Sequence, residues 1–186
     1  GHLLRYNLGL FGGDGRNRTT PNTGLLYAAR IEVAPFGKFD DDYSEADFSD
    51  STKPRLAVGF AAAYSDSTVR ARGTNGDTFK AGTADYRHGA ADAIFKWRGL
   101  SLQSEVLFRR ASETVLERVQ SDGTLLQEYP RSAWGFMAQA GYLISGTLEP
   151  VVRYGEVRPL NASKVARDRE IGGGLSYYFH KHDLKI

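Results

Sequence analysis

The chain has 186 residues, with 24 Lys plus Arg against 22 Asp plus Glu, a net charge of +2 and no cysteine. That length suits one domain. The near balance of charge leaves no nucleic-acid footprint, and the absence of cysteine excludes disulfide frameworks, thiolate metal centres and a cysteine nucleophile. Mean hydropathy is −0.42, and no apolar run approaches the ~18 residues of a transmembrane helix. A membrane β-barrel passes that filter, because half of every strand is polar.

Alternation of apolar with small or polar residues predicts eight strands: Leu3–Phe11, Thr23–Ala34, Arg55–Ser65, Tyr86–Trp97, Leu100–Arg109, Ala133–Ile144, Thr147–Val157 and Glu170–Phe179. No helical period interrupts them. Leu184, Lys185 and Ile186 open a further alternating strand and stop, which is expected if more sequence follows. No signal peptide precedes the first strand, so the chain reads as mature, trimmed or partial. It is treated as one domain over residues 1–186. An eight-stranded barrel closed by its own first and last strands is the alternative.

The connections alternate in length. Arg98-Gly99, Ser145-Gly146 and His180-Lys181-His182-Asp183 are tight turns. The other parity is long and polar, as in GGDGRNRTTPN, SDSTVRARGTNGDTFKAGTAD, ETVLERVQSDGTLLQEYP and RPLNASKVARD. The third of these alternates enough to continue both flanking strands as a ribbon closed at Ser121-Asp122-Gly123. Long loops on one side and tight turns on the other are the pattern of an outer-membrane barrel. Residues 36–54 break it, being long and acidic on the short-turn side.

Successive strand residues point to opposite faces. One parity carries Leu4, Tyr6, Leu8, Leu10, Tyr27, Ile31, Val33, Phe95, Val106, Phe136, Val152, Ile171 and Leu175. Aromatic residues gather near strand ends (Trp97, Trp134, Tyr142, Tyr64, Phe179), where a membrane–water girdle would lie. The other parity carries Asn7, Glu32, Asp92, Gln103, Glu105, Gln139, Glu149, Glu170 and Ser176 with five cations, Arg5, Arg30, Lys96, Arg109 and Arg153. Facing a lumen, those cations would favour anions, and arginine suits oxyanions through its planar fork. The carboxylates of the same face offer them structural partners instead, Arg30 with Glu32 and Arg153 with Glu149. Arg16, Arg18, Arg70 and Arg72 of the long loops would form an attracting vestibule or bind lipopolysaccharide phosphates.

No catalytic constellation emerges, so an enzyme is not expected. His180 and His182 in a turn, and Asp40-Asp41-Asp42 with Glu45 and Asp47, read as solvated turns rather than metal sites; Gly12-Gly13-Asp14-Gly15 lacks the helix of a phosphate loop. Neither metal nor cofactor is expected.

Four segments resemble a known family. YNLGLFGGDGRN, AARIEVAPFGKFDDDYSEADF with KPRLAVGFAAAYS, AWGFMAQAGYLISGTLEPVVRYGEV, and EIGGGLSYYFHKHDLKI are similar to passages of the phosphate-selective porins of O and P type. His180-Lys181-His182 stands where that family commonly has Asn-Gly-His. The resemblance covers most of the chain and maps to the C-terminal half of the family's barrel. It implies a transmembrane antiparallel β-barrel, with the strands here forming part of a porin of about 16 strands, trimeric in the bacterial outer membrane. The implied partners are outer-membrane lipid, lipopolysaccharide, and small anions such as phosphate or other polar solutes. The competing readings are a plugged barrel acting as adhesin or assembly partner, and a soluble ligand-binding barrel with the apolar parity inward.

Overall fold

The computed structural model describes residues 3–13, 24–37, 45–48, 52–160, 165–181 and 183–186. The protein is all-β and antiparallel. Strands β1 (Leu4–Gly12), β2 (Leu25–Val33), β3 (Arg55–Thr68), β4 (Ala84–Trp97), β5 (Leu100–Ala111), β6 (Leu116–Val119), β7 (Leu125–Glu128), β8 (Ala133–Tyr142), β9 (Leu148–Pro159), β10 (Asp168–His180) and β11 (Leu184–Lys185) follow in chain order. Nine of them form one sheet in the order β1-β2-β3-β4-β5-β8-β9-β10-β11, and β6 and β7 pair separately. The sheet is open, with β1 and β11 at its edges. The eight expected strands are all present; β3, β4, β5 and β10 run two or three residues longer than expected, and β8 stops two residues short, at Tyr142. The expected ribbon forms between β5 and β8 as a two-stranded sheet of its own, turned at Gly123.

Two hairpins set the register. Arg98 and Gly99 have φ of 49° and 82°, and Ser145 and Gly146 have 52° and 72°. Two successive positive φ values make the type I′ turn, whose twist matches the strands it joins. The first turn places Trp97 opposite Leu100 and so Asp92 opposite Glu105. The second leads into pairing of Gly141 with Val151 and of Gln139 with Arg153.

A cavity of about 550 Å³ is lined by Asn7 of β1, Arg30 of β2, Ala61 of β3, His88 of β4, Arg109 of β5 and Val157 of β9. In a flat sheet β1 and β9 would lie ~29 Å apart, against ~10 Å across a cavity of that size. The sheet is therefore strongly curled, with the polar parity on its concave side. The apolar parity is left outside: Leu8 is 78% exposed and Ile171 82%.

Two clusters of buried residues lie under chain folded over the concave side. Near the long loops, Ala71 and Phe79 pack with Ala84, Tyr86, Ala111 and Leu116. Near the tight turns, Ala46 packs with Leu143 and Tyr178, and Phe48 meets the Tyr178 ring edge-on at 4.9 Å.

Candidate functional site

Cross-strand partners share a face, so the pairings locate the polar side chains of the strands. Arg5 pairs with Glu32, Arg30 with Asn7 and Ala61, Lys96 with Arg55 and Ser101, Arg109 with His88 and Ala133, and Arg153 with Gln139 and Gly172. The five sequence-derived cations thus share the concave face but not one site. From the Lys96 row to the Arg109 row is ~27 Å along the strands.

Arg30 is committed to carboxylates. Its Nη1 and Nη2 donate to Asp92 Oδ1 and Oδ2 at 2.6 and 2.9 Å, and Glu32 lies 3.5 Å away. Lys96 has no exposure, and its Nζ donates to the Ala46 carbonyl at 2.9 Å. Beside it, Asp47 accepts from Arg55 Nη2 at 2.7 Å and from the Gly99 amide at 3.2 Å. These contacts fasten residues 45–48 to the concave side at the tight-turn end.

Glu149 does not pair with Arg153. Its Oε2 accepts from the Tyr178 hydroxyl at 2.5 Å, and its Oε1 from Ser101 Oγ at 3.2 Å. Arg153 stays exposed, and among the described residues no carboxylate reaches ion-pair distance of it. Glu105 and Glu170 occupy the next row of the same face, so the middle of the trough carries both signs of charge.

The loop end is different. Arg109 Nε donates to the Arg131 carbonyl at 2.9 Å, and Arg72 and Arg131 lie close enough to repel its charge. The nearest compensation for Arg131 is Asp77 at 3.9 Å, itself largely exposed. His88 stacks on Tyr86 with centroids 6.0 Å apart. Residues 69–83 shape this mouth: the Tyr86 hydroxyl and the Arg131 amide both donate to the Ala71 carbonyl, at 2.7 and 3.0 Å. The β6–β7 ribbon grips the same loop, since Glu128 accepts from the Lys80 and Ala81 amides at 2.7 Å each. Arg131, in the connection before β8, was missed by strand alternation. Its proximity to Arg109 follows only from the fold of the loop.

Asp40–Asp42, Asp14, Gly15, Arg16, Arg18, His2 and His182 lie outside the described residues. Comparison with family models, with curated proteins and with solved structures finds no match for this chain.

Proposed function

We propose that this chain is part of the wall of an outer-membrane β-barrel porin that passes small polar solutes and anions such as phosphate by diffusion. One observation carries the reading: apart from the loop end of β9, where Glu156 and Arg158 stand opposite Phe136 and Trp134, the exposed convex face is free of charge over a band of membrane height. The outward residues from Gly89 to Trp97 of β4, Leu100 to Phe108 of β5, Trp134 to Tyr142 of β8 and Ile171 to Phe179 of β10 include no charged side chain. Each run spans ~27 Å along the strand and, at a tilt of ~40°, ~20 Å of thickness, close to the ~25 Å apolar band of such barrels. Water would be the wrong solvent for Leu8 and Ile171 at their observed exposure.

The concave face supplies the aqueous side. Fixed charges of both signs keep it wet, and the surplus of cations at the loop end (Arg72, Arg109, Arg131) favours anions where solutes arrive. Arg153 and Arg5 extend that path inward. Lipid and lipopolysaccharide surround the wall, and further strands, with trimer formation, complete the channel.

The second reading, a plugged barrel that binds a partner, draws on the two segments folded over the concave side, 45–48 and 69–83. Steady current across a planar bilayer, with a reversal potential showing anion preference in a salt gradient, is the result expected of the porin. Absence of current supports the plug, and cation preference removes the anion assignment.

A further inference from the structure

On the convex face, at the loop end of β9 and beside Trp134 and Phe136 of β8, three guanidinium groups converge on one carboxylate. Glu156 Oε1 accepts from Arg158 Nε at 2.8 Å, Arg167 Nη2 at 2.8 Å and Arg169 Nε at 3.1 Å. Tyr154 Oη donates to its other oxygen at 3.0 Å. The carboxylate is 7% exposed, whereas the three arginine side chains are 44%, 50% and 57% exposed. Glu156 acts as an anchor that gathers the cluster and leaves it with a surplus of two positive charges directed outward. Arg158 is also seated on Trp134, its Cζ 5.1 Å from the ring centroid.

Two strands away on the same face, Arg87 pairs directly with Arg110. Like charges in such a pair repel. The carboxylates near them are engaged elsewhere: Asp85 accepts from the Tyr64 hydroxyl and the Ser67 amide, both at 2.8 Å, and Asp66 from the Ser67 hydroxyl at 2.8 Å. The loop-end margin of the convex face is thus over-supplied with arginine, beside apolar Phe136 and above Ile171.

We infer that Arg158, Arg167 and Arg169 bind the phosphate monoester headgroup of an outer-leaflet glycolipid, whose acyl chains lie along Phe136 and Ile171. Guanidinium forks grip phosphate oxygens through paired hydrogen bonds, and only part of each fork is used by Glu156. An amphipathic ligand matches a cationic cluster bordered on one side by hydrocarbon-facing residues; a free anion has no use for that border. The inference rests on the membrane reading proposed above.

The test uses the Trp97→Phe protein in detergent, where Trp134 is the sole tryptophan and reports on Arg158. Diphosphoryl lipid A should change Trp134 emission saturably, with enzymatically dephosphorylated lipid A at least tenfold weaker. Arg158→Gln/Arg169→Gln should weaken lipid A about tenfold, while Arg158→Lys/Arg169→Lys, which keeps charge without the fork, should lose less. Equal response to both lipids, or inorganic phosphate acting at the same concentration as lipid A, overturns the inference; this comparison needs no arginine variant to fold. Quenching of Trp134 by brominated acyl chains in liposomes checks the membrane reading separately. No quenching sinks that reading, whereas quenching without phosphate discrimination sinks the lipid site alone.

Discussion

Arg30 of β2 and Asp92 of β4 meet across β3, to which neither belongs, in a two-pronged ion pair at 2.6 and 2.9 Å that arches over Gly59. The glycine makes this bridge feasible: a Cβ at Gly59 would collide with the Arg30 guanidinium and the Asp92 carboxylate. The bridge also answers a problem set by the Arg98-Gly99 turn. Its register puts Asp92 opposite Glu105, two carboxylates face to face, and Arg30, reaching Asp92 from the side away from Glu105, supplies the compensating cation.

Breaking this bridge from either side should move ion selectivity in opposite directions. Arg30→Gln leaves Asp92 uncompensated and shifts the reversal potential toward cations. Asp92→Asn releases Arg30 and shifts it toward anions, and the double variant lies near the parent. A double-mutant cycle in urea should give a coupling of about 1 kcal/mol, since both side chains are about one-third exposed. Shifts of the same sign for both single variants would show that the pair does not face the conducting path.

Anion preference should depend on the loop-end mouth more than on the cations deeper in the trough. Arg109→Gln and Arg131→Gln are each expected to lower the anion-to-cation permeability ratio severalfold. Lys96→Met should leave that ratio unchanged, because its ammonium is buried against the Ala46 carbonyl. The same change should cost about 2 kcal/mol of stability by stranding that carbonyl. Reversal potentials and urea midpoints on the same preparations separate the two effects.

Residues 45–48 should act as an inner constriction at the tight-turn end. Asp47 is their anchor, bound to Arg55 and to the Gly99 amide. Asp47→Ala is expected to destabilise the protein by about 2–3 kcal/mol and to raise single-channel conductance as the segment detaches. Unchanged conductance in a folded variant would place the segment away from the passage.

The two type I′ turns should differ in tolerance. An alanine at Gly146 has open space and faces only the strain of φ 72°, for a cost of about 1 kcal/mol, whereas at Gly99 its Cβ would also lie 2.8 Å from the Leu143 carbonyl, for about 2–3 kcal/mol. Thermal unfolding of the two single variants measures the difference.

Face assignment was legible because period-two alternation needs no knowledge of neighbours: Leu8 and Asn7, or Val152 and Arg153, declare opposite sides by parity alone. Even the Asp92–Glu105 confrontation is readable from the two-residue turn between their strands. What alternation leaves out is contact at a distance. Arg30 reaches Asp92 two strands away in addition to Glu32 beside it, and Glu149 turns to Tyr178 and Ser101 rather than to Arg153. The inward fold of residues 69–83 and 45–48 depends on hydrogen bonds to the Ala71 and Ala46 carbonyls, which have no periodic signature. The convex arginine cluster was hidden for the same reason: Arg158, Arg167 and Arg169 stand on both sides of a loop and meet only through Glu156.

The sidedness of the sheet is the claim on which the channel rests, and the absence of cysteine makes it directly measurable. Single cysteines replacing Asn7, Arg153 or Gly172 on the concave face, and Leu8, Val152 or Ile171 on the convex face, are exposed in turn to a charged, membrane-impermeant thiol reagent with the protein in liposomes. Rapid labelling of the first set and protection of the second, with that protection lost in denaturant, is the result the account predicts. Rapid labelling at Leu8, Val152 and Ile171 would contradict it.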